Sequence, residues 1–265
     1  IDASGEESTT FPANTLNKFD ELTSVSLKGW TVIEANALQN AVKVKEADLS
    51  DVVELKDFAL ESLGGYSPTG GYDGISKIEL PSLVKMGNQA MANTHNLKEV
   101  YAPKLESVGE KPFFNVELDK ITTSKKLLEN YNSVCHETLP EWLNGADLYL
   151  DGTYRIEFVN GEDHYYAYVD KGAALNEGQL PSVTAPEGQQ FDGWYDGETK
   201  VEAGTVLESD VTLTAKYTEA VAVNKDALKE AIDAADAALQ LVKSDEVTVS
   251  DGETQMDKIF PDARE

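Results

Sequence analysis

Short apolar patterns return at a spacing of 22 residues along the first half of the chain. The pentapeptide "EANAL" (34–38) follows "PANTL" (12–16) by that step, and "VYAPKLESVGEKPFF" (100–114) follows "IELPSLVKMGNQAM" (78–91) by the same step. "ADLSDVVELKDFAL" (47–60) fits the same frame, which places repeat starts at Leu22, Val44, Ile75, Leu97 and Leu118. The shared pattern is apolar-x-x-apolar-x-apolar, then a Pro or polar residue, then two spaced apolar positions and a small-plus-apolar pair. In the third repeat these positions are Ile75, Ile78, Leu80, Pro81, Leu83, Met86, Ala90 and Met91. A single repeat of this length cannot bury its own apolar face. A fixed period therefore implies that repeats stack and share one core. The alternating "VxL" piece predicts a short strand, and a proline just after it, unable to donate a ladder bond, helps to end it.

The frame breaks once, at "LGGYSPTGGYDG" (63–74). This glycine-rich stretch lacks the Gly-Lys-Ser/Thr ending of a phosphate loop, and the frame resumes at Ile75, so it does not separate domains. It reads as a nine-residue surface insertion on one repeat, carrying Tyr66 and Tyr72. The frame "ISKIELPSLVKMGNQAM" (75–91) resembles the BspA-like leucine-rich repeats of bacterial surface proteins over about residues 12–130. The resemblance implies a leucine-rich repeat solenoid of short strands joined by irregular or helical turns. The fifth repeat departs from it, with Thr123 where an apolar residue is expected. Residues 124–150 read as a cap.

Beyond the repeats the periodicity changes. "GTYRIEFVNG" and "DVTLTAKYTE" alternate apolar and polar residues, as half-buried strands do. Together with "FDGWYD", their order resembles the Listeria–Bacteroides repeat, or internalin B-repeat type, over residues 153–219; Tyr217 stands where that pattern more usually has tryptophan. This resemblance implies a small β-grasp-like module that serves as spacer or contact module. After Ala220, "VNKDALKEAIDAADAALQLV" places Leu228, Ala231, Ile232, Ala235, Leu239 and Val242 on one helical stripe, with Asn224 a candidate N-cap. It resembles the first helix of FIVAR-type helical modules, and the chain is expected to cut into such a module. The expected organisation is thus 1–152 repeats with caps, 153–219 β-rich module, and 220–265 helical segment, incomplete or partly disordered.

The net charge is −26 and is spread over all three segments, which opposes binding to nucleic acid or anionic lipid. No apolar run approaches the length of a membrane helix, so no direct membrane insertion is expected. One cysteine, Cys135, excludes a disulfide framework and a multi-cysteine zinc site. The three histidines, His95, His136 and His164, lie in different contexts, and no G-x-S-x-G, H-E-x-x-H or calcium-loop spacing occurs. Cys135 reads as a core thiol, and Trp30, Trp142 and Trp194 as packing residues. The chain is therefore expected to be no enzyme and to hold no metal or cofactor.

The polar residue between the two apolar residues of each repeat strand faces outward: Ser26, Asp48, Glu79, Tyr101 and Thr122. The residues just before the inner apolar position are Ser24, Glu46, Lys77, Glu99 and Lys120. Together they predict a polar ladder at strand spacing, about 4.8 Å per step, which is either a contact surface or a solvated face. The candidate ligand face is Asp48, Glu79, Tyr101, Lys77, Glu99, Tyr66 and Tyr72. The three resemblances imply an extracellular, secreted or wall-attached adhesion module of a Gram-positive bacterium, bound to a host or bacterial surface protein. A glycan-binding accessory region of a larger surface enzyme and a plain spacer stand as alternatives.

Overall fold

The computed structural model describes residues 9–65, 73–220 and 225–244. The chain divides into two compact units, Ile1–Thr218 and Glu219–Glu265. The first unit opens with eleven short strands: β1 (Thr10–Phe11), β2 (Ser24–Ser26), β3 (Val32–Ile33), β4 (Glu46–Asp48), β5 (Glu54–Leu55), β6 (Lys77–Glu79), β7 (Lys85–Met86), β8 (Glu99–Tyr101), β9 (Ser107–Val108), β10 (Lys120–Thr123) and β11 (Asp147–Leu150). The repeats that start at Leu22, Val44, Ile75 and Leu97 supply two strands each, and like strands pair in parallel from one repeat to the next. One sheet runs β1-β3-β5-β7-β9. The other side forms a two-stranded sheet β2-β4 and a four-stranded sheet β6-β8-β10-β11.

A third set of inter-repeat bonds joins the turns. The amides of Asn14, Leu16 and Lys18 donate to the carbonyls of Ala35, Ala37 and Gln39 at 3.3, 2.7 and 2.9 Å. Asn36, Leu38 and Asn40 do the same to Asp57, Ala59 and Glu61, and the pattern continues to Asn93 and Phe114. This alternation turns the backbone left-handed at Asn14, Lys18, Asn36, Asn40, Phe58, Ser62, Gln89, Asn93, Lys111 and Asn115. Asparagine tolerates that region better than most residues, which accounts for its recurrence. Side chains echo the ladder: Asn17 donates to Gln39, Asn93 to Glu61 and Asn115 to Asn93, each at 3.0 Å.

These bonds correct the expected fold class. An amide that donates to the next repeat cannot close an i→i−4 helical bond, so among the described residues the repeat turns contain no α-helix. Among the described residues the only α-helix is α1 (Lys225–Ser244), in the second unit. The protein is β-rich, with four parallel or mixed sheets. A leucine-rich repeat solenoid with helical turns does not describe it.

The apolar frame nevertheless lands inside. Leu22, Val44, Ile75, Leu97 and Leu118, the five repeat starts, are all buried, as are Val25, Ile78, Val100 and Ile121 on the strands. They form one continuous cluster. Thr123 is fully buried in the apolar position it occupies, its hydroxyl turned to the Ser124 carbonyl. Gly87 and Gly109 are required by close approach: a Cβ would stand 2.7 Å from Asp57 N and 2.5 Å from Asn88 N, respectively.

The remainder of the first unit is a five-stranded sheet, β13-β12-β16-β14-β15, built from β12 (Thr153–Asn160), β13 (Asp163–Asp170), β14 (Gln189–Asp196), β15 (Thr199–Val201) and β16 (Val211–Glu219). Its own core holds Ile156, Phe158, Trp194 and Leu213. Tyr168 of β13 belongs instead to the repeat core, where its hydroxyl donates to the Leu148 carbonyl at 3.0 Å. His136 and Tyr166 form an antiparallel bridge. In the second unit, Leu228, Ile232 and Leu239 of the predicted stripe are about half exposed.

Candidate ligand face

The in-register pairing of β6, β8, β10 and β11 sets two outward rows across the sheet. One is Lys77, Glu99, Lys120, Asp147; the other is Glu79, Tyr101, Thr122, Tyr149. Side chains alternate about a strand, so the residues between them (Ile78, Val100, Ile121 and Leu148) point into the core. The structure thus aligns Lys77, Glu79, Glu99 and Tyr101 of the candidate face on one sheet. Asp48, with Ser24, Ser26 and Glu46, lies on the separate β2-β4 sheet. Tyr66 and Tyr72 lie outside the described residues.

Two residues of this face, Asp147 and Tyr149, were missed by the sequence reading. Ile121 pairs with Leu148, a step that is not 22 residues because two 3₁₀ turns, Lys125–Leu127 and Glu141–Leu143, intervene. The signal that would have found them is the alternation of "DLYL", which matches "KIEL".

The lysines of the first row are paired with carboxylates of both rows. Lys77 Nζ lies 2.9 Å from Glu79 and Lys120 Nζ 3.6 Å from Glu99. The Glu79 carboxylate accepts a hydrogen bond from Lys77 and holds its ammonium above the usual lysine range. Beyond β11 stands Arg155 of β12, its side chain only 10% exposed. Its guanidinium is 2.8 Å from Asp147 and lies over the rings of Tyr166 and Tyr149, at 4.9 and 5.5 Å from their centroids. Such cation–π contacts strengthen where water is excluded. Arg155 therefore fixes Asp147 and the Tyr149 ring.

Two open grooves meet on this face. One of about 280 Å³ lies over Lys77, Glu79, Glu99, Tyr101, Lys120 and Thr122. The second, about 380 Å³, shares Lys120 and Thr122 and continues past Tyr149, Asp151 and Tyr154 to Lys171 and Glu208. Among the described residues the hydroxyls of Tyr101, Tyr149 and Tyr154 make no hydrogen bond.

The groups weighed for catalysis are held elsewhere. Burial pushes the Cys135 thiol up to about 12, with Glu137 adding to the shift, so it stays protonated at neutral pH. Burial also lowers the His136 pKa, and its buried Nε2 has no hydrogen-bond partner among the described residues. His164 Nδ1 lies 2.8 Å from Glu157. Trp30 packs edge-on against Phe11 at 5.2 Å, and Trp194 Nε1 donates to the Pro181 carbonyl. Among the described residues no group of three His, Cys, Asp or Glu is placed to hold a metal ion, and no helix is long and apolar enough to cross a membrane. No protein-family model matches the chain, and no curated protein matches it.

Proposed function

We propose that the chain is a non-enzymatic binding region of an extracellular bacterial protein, contacting a protein partner through the outward face of β6, β8, β10 and β11. The observation that supports this reading most is the in-register pair of tyrosines beside two adjoining grooves, with hydroxyls that make no hydrogen bond among the described residues. An exposed ring at Tyr101 and a half-buried one at Tyr149 offer what a binding surface uses: contact area at small cost in conformational entropy. The extracellular, wall-associated setting rests on the resemblance of three consecutive segments to surface-protein modules, the repeats, the 153–219 sheet and the 225–244 helix.

The test is saturable binding of the chain to immobilised extracellular-matrix and bacterial surface proteins, repeated with Glu79→Lys and Tyr101→Ala. Binding that both substitutions weaken is the expected result. Saturable binding indifferent to both, or no binding to any of these proteins, overturns the role of this face. A second reading is favoured by the ring of Tyr101, 38% exposed, which is open to stacking on a sugar. A glycan array in which Tyr101→Ala removes the signal would establish that reading instead.

A further inference from the structure

The binding face carries a spacing that selects among partners, and the following rests on the reading of that face as a protein-contact surface. Tyr101 and Tyr149 stand on strands that both pair with β10, at the same register position, with Thr122 between them. Two strand steps separate them, about 9.6 Å. Tyr101 is exposed and Tyr149 half-buried, and the shorter Thr122 between them leaves a notch.

A ligand on a sheet face meets no free backbone donors or acceptors, since the ladder bonds lie in the plane of the sheet. Adding a strand would need an edge. Strand addition is thus excluded on this face, and a ligand whose backbone is ordered before it arrives binds there at the least entropic cost. A polyproline II segment meets that condition. It has no internal hydrogen bonds, its carbonyls are free to accept, and its conformation is set before binding. Its three-residue turn rises about 9.3 Å, within a few tenths of an ångström of the two-strand step. Successive turns would set one prolyl ring against each tyrosine and the intervening residues over Thr122, with the unused tyrosine hydroxyls donating to ligand carbonyls.

Charge narrows the ligand further. Lys77 and Lys120 are already held by Glu79 and Glu99; at the far end of the groove Asp151, Glu208 and Asp210 outnumber the one base, Lys171, which makes no ion pair among the described residues and lies over the Tyr154 ring. The field over the groove is that of a chain with net charge −26, which draws basic segments and repels acidic ones. Arg155, stacked on the Tyr149 ring, holds that ring in place before a ligand arrives, which lowers the ordering cost of binding. We propose that the row Tyr101–Thr122–Tyr149 seats a proline-rich, basic segment of a partner protein in the polyproline II conformation.

The test is calorimetric or fluorescence titration of the whole chain with three synthetic peptides: repeating Pro-Pro-Arg, repeating Gly-Gly-Arg, and repeating Pro-Pro-Glu. Saturable binding of the first is expected, weaker by about tenfold for the second, whose charge is equal but whose backbone is not preordered, and absent for the third. Tyr101→Ala and Thr122→Leu, the latter filling the notch without touching a tyrosine, should each weaken Pro-Pro-Arg binding by about tenfold. Tyr101→Phe, which keeps the ring and loses only the hydroxyl, should weaken it less. Circular dichroism of each variant separates loss of binding from loss of fold. Equal binding of both arginine peptides, indifference to the Tyr101 and Thr122 substitutions, or no peptide binding at all overturns the proposal. If the peptides fail while Glu79→Lys and Tyr101→Ala still abolish binding to a folded surface protein, the polyproline assignment falls and the binding face stands. If both fail, the face itself is lost. A glycan that competes at the same tyrosines, with no peptide bound, assigns the row to sugar instead.

Discussion

Across the insertion, the two strand sides of the repeat stack behave differently. β5 pairs with β7 in full register, Leu55 opposite Met86, although the repeats they come from are 31 residues apart rather than 22. On the other side β4 and β6 belong to separate sheets. The turns side with β5 and β7: Leu60 still donates to Ala90 and Ser62 to Ala92, both at 2.8 Å. An insertion thus opens only the side where it enters. Its ends close on each other, since a Cβ on Gly74 would lie 1.5 Å from the Gly64 carbonyl oxygen, and Lys45 pairs with Asp73 beside them. Each side of the stack is a separate hydrogen-bonded ladder over one shared core, so sequence variation at one corner leaves the other two ladders in register.

That contrast makes ranked predictions. The largest effect belongs to the unbroken side: Leu55→Ala, at a fully buried position, should destabilise the first unit by about 2–5 kcal/mol, read as a fall in the urea midpoint. Gly109→Ala comes next. Its Cβ would meet backbone of the neighbouring repeat at 2.5 Å, and overpacking of that kind costs about 1–3 kcal/mol. At the turns, Asn93→Ala loses a residue suited to φ 57° together with the bonds to Glu61 and from Asn115; about 1–2 kcal/mol is expected. Deleting residues 65–73 should change stability by less than about 1 kcal/mol, because loop-closure entropy varies slowly with length. A deletion as costly as Leu55→Ala would show that the insertion holds the sides together and would break the comparison.

The smallest effect is a pH slope that acts at the junction with the second sheet and on neither side of the insertion. Burial lowers the folded pKa of His136 from 6.5. The unfolded chain then binds a proton that the folded one refuses, so the stability contributed is full above pH 6.5 and is lost as pH falls through the folded pKa. His136→Phe should flatten thermal stability measured across that range. An unchanged slope would place the acid sensitivity elsewhere.

Much of the stack is legible in the sequence because burial has a period. Val25, Ile78, Val100 and Ile121 fall on the inward face of successive strands, and an inward position tolerates little except apolar side chains. The turns were less legible. "EANAL" and "GNQAM" carry apolar spacings compatible with a helix, and the decisive fact, that Asn36 and Gln89 donate to the next repeat, depends on residues that are distant in sequence. The outward face of β6, β8, β10 and β11 was half legible. Lys77, Glu79, Glu99 and Tyr101 follow from strand alternation. Asp147 and Tyr149 follow an irregular step through two 3₁₀ turns, and Arg155 arrives from a different sheet.

The sequence by itself determined which side chains go inside, where the repeats begin, and where the frame is interrupted, because burial is a property each residue carries with it. The tertiary structure alone decided that the turns bond outward to their neighbours, that the insertion splits one ladder and spares two, and that Tyr149 joins Tyr101 under the guard of Arg155. Those outcomes depend on which backbone amide meets which carbonyl across repeats, and on contacts between side chains from separate strands, which no local stretch of sequence contains.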